Sequence, residues 1–383
     1  MKIVVWTDSD ALAGTERHCL DLGAGLRDAG AWVSIACRPG SPMARLVECS
    51  QGRLLTLDAS GAPLTAVSTL RSLLENGELD VIHSHNGRTT FLACLAVLRA
   101  GRGCVVATQH FIAPARVTRR GLVRFVSNRI HRWTNMRVDR WIAISEAVTL
   151  GMLSRNDVPR SRLSTIPNGT ACPDASEPQR AQARLLLGLP QLSPVLLCVA
   201  RLAAEKGLEV LLSASAMLRA DGVSLHILFV GEGALRKRLQ RLARELGLSE
   251  CVQWLGYQSA PGVWMRAADL LVLPSAEEPF GLVLLEAMSR GIPVIAAAAG
   301  GPLEIVDSTC GLLFTPGDGR DLATKIKHLL ANPPELRRLG EGAKMRWKTH
   351  FELGKMVARI KEAYGNAFGV AKSASGKTFN ESI

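Results

Sequence analysis

No stretch of this 383-residue chain is apolar and free of charge for long enough to cross a bilayer. The longest, such as Gly291 to Leu303, falls well short of the roughly 20 residues a spanning helix needs. The opening segment MKIVVWTD reaches Asp8 before any apolar core develops, so a cleaved secretory signal is not expected. No CxxC pair occurs. The nine cysteines are scattered, and several (Cys94, Cys104, Cys198) sit inside apolar runs. That usage predicts reduced thiols in a cytoplasmic protein, not a disulfide frame or a zinc site. No internal repeat of solenoid length is present. Apolar residues are not scarce: at 47% they exclude disorder of the whole chain, and the length suggests two domains.

Acid is the scarce charge. The net charge is +12, unevenly spread: residues 1–170 carry 21 Lys and Arg against 13 Asp and Glu. Arg116 to Arg140 holds eight arginines and one acid, Asp139. Such a balance suits nucleic acid, an anionic membrane surface or a phosphorylated substrate, and does not choose among them.

Short apolar runs alternate with segments of helical periodicity to about residue 330. Strands are expected at Ile3–Trp6, Trp32–Ala36, Leu54–Leu57, Val81–His83, Val105–Thr108 and Trp141–Ile144. A second series is expected at Val195–Ala200, Leu225–Val230, Val252–Leu255, Leu270–Leu273 and Val294–Ala297. Near-continuous apolar strands separated by helices imply parallel sheets covered on both faces, hence an α/β chain of two doubly wound domains in tandem. Ligands in such sheets bind beyond the carboxyl ends of the strands, and two facing domains would place the site in a cleft. The polar, proline-rich stretch PNGTACPDASEPQR interrupts the series. The expected division is 1–170 for an N-terminal domain, 171–193 for a linker, 194–350 for a C-terminal domain, 351–370 for a returning helix and 371–383 for a disordered tail.

Three motifs carry little. Gly376-Lys377-Thr378 resembles the end of a P-loop but lacks the preceding strand and first glycine. Gly231-Glu232-Gly233 follows a strand, yet the third glycine position is Arg236, so a tight strand-to-helix turn is the better account. His83, His85 and His110 raise the question of a metal. With no acid near in sequence to complete a familiar ligand set, strand-end histidines bonded to backbone are expected instead.

Residues 269–301, DLLVLPSAEEPFGLVLLEAMSRGIPVIAAAAGG, are more informative. A strand ends at Pro274, a polar turn follows, then Pro279-Phe280-Gly281 and an apolar helix. Pro279 keeps Glu278 out of the helix. Glu286 lies inside LVLLEAM, where a buried carboxylate needs a hydrogen-bond donor such as a ribose diol. The amides of Gly281 and Leu282 open the helix toward an anion. A capping acid and a salt-bridged helix glutamate explain the same residues. Upstream, Arg201 falls just past a strand and Lys206 begins a helix. Together the two cations can clamp a diphosphate; either alone reads as a solvated charge.

The pairing of ARLAAEKG with EEPFGLVLLEAMSRGIPVIA, then GGPLEIV and CGLLFTPGD, resembles the family-4 retaining glycosyltransferases of GT-B fold. The upstream segments ALAGTERH, DVIHSHN, ATQHF, ISEAV and IPNGT extend the resemblance over nearly the whole chain. The resemblance implies two Rossmann-like domains facing a central cleft, and C-terminal helices around 351–366 that return to the N-terminal domain. It assigns Glu278 to the donor sugar ring, Glu286 to the ribose, and Arg201 and Lys206 to the diphosphate. Phe280, Gly281 and Leu282 fall in the donor loop, Gly14 in the phosphate-side turn, and His110 beside the reacting sugar. Gly14 follows Ala13 where the family usually has a second glycine.

The expected activity is metal-independent, retaining transfer from a nucleoside-diphosphate sugar to a glycan or lipid-linked acceptor, of the kind used in polysaccharide or lipopolysaccharide assembly. No metal or other cofactor is expected, no acidic DxD-like pair is expected at a strand end to hold magnesium or manganese, and no nucleic-acid partner is expected. Other classes stay open: a sugar-nucleotide epimerase or hydrolase on the same frame, or a non-catalytic binder of nucleotide sugar or nucleic acid. The segment Arg119–Trp133 is expected to be helical, with Leu122, Val126, Ile130 and Trp133 on one face and Arg120, Arg124 and His131 on another. It serves either as an ordinary domain helix or as a peripheral contact with an anionic membrane.

Overall fold

The described residues of the computed structural model are 1–10, 12–50, 52–112, 121–156, 158–258 and 261–376, with side chains described outside 121–124 and 370–376. They form two compact units. One is Met1–Gly169 joined by the chain from Leu353 onward; the other is Thr170–Glu352.

The first unit holds seven strands: β1 (Lys2–Trp6), β2 (Trp32–Cys37), β3 (Arg53–Thr56), β4 (Val81–Ser84), β5 (Cys104–Gln109), β6 (Arg140–Ala143) and β7 (Leu163–Thr165). All pairs are parallel, in the order β3-β2-β1-β4-β5-β6-β7. The order reverses between β1 and β4, the switch point at which such sheets bind ligands. Ile3, Val5, Val81 and Val106 are buried with Cys19, Leu22 and Leu26 of the helix Gly14–Asp28. The helix Leu353–Gly376 adds Val357, Ile360 and Tyr364 to the same core. Residues 371–376, expected to belong to a disordered tail, continue this helix; 377–383, with Lys377 and Thr378 of the P-loop-like motif, lie outside the described residues.

The second unit holds β8 (Val195–Val199), β9 (His226–Val230), β10 (Val252–Gly256), β11 (Leu270–Leu273), β12 (Val294–Ala297) and β13 (Gly311–Phe314). They too are parallel, in the order β10-β9-β8-β11-β12-β13, with the switch point between β8 and β11. Two strands escaped the sequence reading. β7, Leu-Ser-Thr, has one apolar residue in three, and β13, Gly-Leu-Leu-Phe, is a short apolar run opened by glycine, a residue poor in strand propensity.

The stretch 171–193 is more than a connector, because it carries the helix Arg180–Leu186. The buried Arg184 donates to Ala267 O at 2.9 Å and pairs with Asp269, whose carboxylate also takes the Val195 amide at 2.8 Å. Those bonds tie the segment to the beginnings of β8 and β11.

Gly231-Glu232-Gly233 is a structural turn. Gly231 has φ +138°, and a Cβ there would lie 2.0 Å from Ala200 O. The backbone of this turn pairs with the backbone that carries Arg201: Ala200 N donates to Val230 O at 3.0 Å, and Leu202 N to Glu232 O at 2.9 Å.

Candidate active site

In the second unit, the chain past β8 and the chain past β11 emerge side by side at the switch point. The first enters a short 3-10 turn, Ala204–Lys206, and then the helix Leu208–Ala220. The second enters the polar turn 274–281 and the helix Leu282–Ser289. Lys206 Nζ donates to Glu278 Oε2 at 2.7 Å, with the two side chains 19% and 11% exposed. A half-buried cation and a nearly buried acid therefore share one position, 72 residues apart in sequence.

Gly281 caps the helix Leu282–Ser289 with a left-handed φ of +101°. The Leu284 amide closes onto Gly281 O at 2.9 Å; the amides ahead of it precede the first helical acceptor, so this end of the helix is suited to an anion. The turn is held from behind by Gly301, whose amide donates to Glu278 O at 2.9 Å. A Cβ on Gly301 would fall 2.3 Å from Phe280 Cα. Phe280 itself is buried and meets Phe351 edge to face, so its side chain anchors the loop. Ser275, in the same turn, is fully buried, and its hydroxyl has no partner among the described residues. A lone serine beside Pro274 gave no signal in the sequence; its orphaned hydroxyl emerges only from packing.

Two expectations change. Glu286 is half-buried, not buried, because one side of its helix remains partly open: Leu282 and Val283 are half-buried as well. Arg201 is exposed and forms an i,i+4 pair with Glu205, apart from the Lys206–Glu278 pair.

Gly14 and His110 belong to the first unit. Gly14 is exposed and opens the helix Gly14–Asp28, where the Glu16 carboxylate takes the Ala13 amide at 3.0 Å. His110 follows β5 and is buried; its Nε2 lies 3.0 Å from His85 Nδ1. His83 Nδ1 lies 2.7 Å from the Tyr364 hydroxyl and Nε2 2.7 Å from Thr108 Oγ1. These contacts run between side chains and not, as expected, to backbone, because the helix Leu353–Gly376 delivers Tyr364 from the far end of the chain. Burial drives the pKa of His83, His85 and His110 well below the usual imidazole value, so all three are neutral.

An acidic pair of the DxD type does stand just past β1: Asp8-Ser9-Asp10. Arg88 donates to Asp8 Oδ2 at 2.7 Å, and Arg38 pairs with Asp10.

The helix Gly121–Arg137 departs from the expected packing: Val126 and Ile130 are exposed, with Phe125 beside them, while Thr134 and Asn135 are buried. The side chains of Leu122 and Arg124, and all of Arg119 and Arg120, lie outside the described residues.

Two parallel-sheet units, one with a cation–acid pair and a helix N-terminus at its switch point, define a GT-B glycosyltransferase. Residues 12–172 match the family described as Glycosyltransferase Family 4, and residues 182–346 match Glycosyl transferases group 1. The chain belongs to this glycosyltransferase family. A D-inositol 3-phosphate glycosyltransferase of Thermobispora bispora is 31% identical over 320 residues, covering 79% of this chain and 74% of that protein. A D-inositol 3-phosphate glycosyltransferase of Catenulispora acidiphila is 28% identical over 392 residues, covering 92% and 91%. The solved structure of Anabaena HepE in complex with UDP and glucose has a TM-score of 0.81 at 23% identity, covering 95% of this chain and 99% of that one.

Proposed function

We propose that this enzyme transfers a sugar from a UDP-sugar to a glycan or lipid-linked acceptor, with retention at the anomeric carbon and without a metal. The observation that carries the reading is the meeting of Lys206, Glu278 and the N-terminus of the helix Leu282–Ser289 at one switch point. UDP is the nucleotide of choice because HepE was solved with it.

In this reading Arg201, Lys206 and the amides of Gly281 and Leu282 face the diphosphate. They offset the negative charge that grows as the glycosidic bond breaks, the role that preorganised donors perform best. Glu278 holds a hydroxyl of the sugar ring, and Glu286 the ribose diol. Gly14 approaches the phosphates, and the neutral His110 accepts or donates a hydrogen bond at the reacting sugar. The departing phosphate oxygen takes the acceptor proton on the face it leaves, so no protein nucleophile is required.

The test is donor binding. UDP-sugars should raise the melting temperature, by about 2.7 kcal/mol of stabilisation at 100 times the dissociation constant, and GDP-, ADP- and dTDP-sugars should not. Glu286→Gln should weaken binding of free UDP, and Glu278→Gln should mainly lower kcat. Unchanged UDP affinity in Glu286→Gln would sink the ribose assignment.

A phosphorylated inositol is a second acceptor reading, favoured by the names of the relatives. Incubation with UDP-sugar and inositol phosphate, against a lipid-linked acceptor, decides between them by product mass. The lipid-linked reading draws on Phe125, Val126 and Ile130, exposed on a helix that also bears Arg129 and Arg132. A peripheral seat on the cytoplasmic face of a membrane follows from it. The protein should pellet with anionic vesicles at low salt and lose that binding in Arg120→Gln/Arg124→Gln/Arg129→Gln.

A further inference from the structure

His83 and His85 stand two residues apart at the carboxyl end of β4, and Thr108 and His110 two apart at that of β5. The strands are parallel neighbours, and alternate residues share a face of the sheet. Two side-chain rungs join them: His83 Nε2 lies 2.7 Å from Thr108 Oγ1, and His85 Nδ1 lies 3.0 Å from His110 Nε2. The first rung is pinned, because His83 Nδ1 is also bonded to Tyr364. Its ring packs against that of His85, with centroids 4.3 Å apart, and so steadies the second rung. His18, on the helix Gly14–Asp28, meets the His110 ring edge to face at 5.1 Å. It offers no competing hydrogen bond, since it is 2% exposed and neither of its ring nitrogens has a partner among the described residues.

Burial keeps His85 and His110 neutral. A neutral imidazole has one N–H and one lone pair. Two such rings that meet through one nitrogen each share a single hydrogen, so the tautomer of one dictates that of the other. His85 Nε2 is buried without a partner among the described residues. If His110 donated to His85, that Nε2 would carry an orphaned N–H. If His85 donates, only a lone pair stays unmet, and orphaned buried N–H groups are the rarer case.

We propose that His85 is a positioning residue of the transferase, donating Nδ1–H to His110 Nε2 and so fixing His110 in the tautomer with its hydrogen on Nδ1. His110 then offers the reacting sugar an N–H and not a lone pair, which rests on the sugar assignment of His110 made above.

The experiment uses the full chain with nitrogen-labelled histidine, because hydrogen-bearing and bare imidazole nitrogens give separate NMR signals. His110 is assigned by comparison with His110→Ala. The parent should carry the hydrogen of His110 on Nδ1. His85→Leu removes the donor: the Nε2–H form of His110 should appear, and kcat should fall roughly 3- to 10-fold, the worth of one hydrogen bond, with affinity for free UDP unchanged. His85→Asn, whose amide can donate from near the place of Nδ1, should recover most of the Nδ1–H form and of kcat. A purely packing role ranks these variants the other way, since leucine suits a dry interior better than an amide. Hydrogen on His110 Nε2 in the parent overturns the proposal, as does a kcat in His85→Leu equal to or above that of His85→Asn. If the variants do not fold, the spectrum of the parent decides alone. An undiminished kcat in His110→Ala would end the sugar assignment and leave the tautomer result standing, so the two failures are distinguishable.

Discussion

Lys206 and Glu278 form a 2.7 Å ion pair at the switch point of the second sheet, joining the turns that follow β8 and β11. Both residues are assigned to the donor in the proposed mechanism, so the pair holds them at the site before a donor arrives. Breaking it from one side leaves an uncompensated charge in a poorly solvated place. Lys206→Met should therefore destabilise the protein by about 1–3 kcal/mol, below the range for a fully buried pair because both groups retain some water contact. Lys206→Met/Glu278→Gln should recover part of that loss. Urea denaturation of these two variants, Glu278→Gln and the parent gives the coupling; a value indistinguishable from zero would show that the pair does not form in solution.

Arg201 should separate stability from turnover. Its side chain is 70% exposed and its pair with Glu205 is an i,i+4 surface contact. Such pairs contribute about 0.3–0.5 kcal/mol. Arg201→Ala should leave the melting temperature nearly unchanged while lowering kcat on the order of 10²–10³-fold. A kcat within about threefold of the parent would remove Arg201 from the charge-stabilising set proposed for the leaving group.

Gly301→Ala tests close approach in the absence of backbone strain, since Gly301 has an ordinary helical φ of −58°. The added methyl meets the Phe280 backbone, which cannot rotate aside as a side chain would. A cost of about 1–3 kcal/mol is expected from overpacking. Displacement of Phe280 would also move Glu278 and Gly281. Calorimetry and donor titration should fall together; a variant with parental stability would mean the loop yields freely.

Acid should weaken the first unit. His18 titrates at about 4 in the folded chain, against about 6.5 unfolded. The unfolded chain thus takes up a proton, as pH falls through 6.5, that the folded chain refuses until about pH 4. Stability is lost across that window, by up to about 1.4 kcal/mol per pH unit for each such histidine. His83, His85 and His110 act in the same direction. Asp21 opposes them: burial raises it to about 6, so between there and its unfolded value near 4 the folded chain holds the extra proton. Replacing His18 with Asn should flatten the slope of unfolding free energy against pH by about 1 kcal/mol per unit between roughly pH 6 and 4.5. Denaturant titrations at stepped pH measure it, and an unaltered slope contradicts a neutral, buried His18.

Much of the architecture was legible because parallel strands buried on both faces are nearly continuous apolar runs, as VLLCV of β8 and LLVL of β11 are. β7 was not, since Leu-Ser-Thr has one apolar residue in three, nor was β13, a four-residue run that opens on glycine. The spacing of Glu278 and Glu286, and the place of Arg201 and Lys206 after a strand, suggested a nucleotide-diphosphate site from sequence, and the family resemblance added the sugar. The sequence did not show that Lys206 would pair with Glu278 while Arg201 paired with Glu205. His18 drew no notice, because a histidine on an amphipathic helix looks like any other until two strand ends bring His85 and His110 against it.

The sequence by itself determined most of the strands, where the candidate site residues stand, and the family the chain belongs to. Those properties rest on local periodicity and on residues near one another along the chain. Only the tertiary structure decided which charges neutralise each other, which histidines keep unmet nitrogens, and which glycine touches backbone. Each depends on strand order, which joins residues as distant as Lys206 and Glu278 or His83 and Tyr364. Burial then sets the strength of every contact so made, because the energy of a charge or a hydrogen bond depends on the water its neighbours exclude.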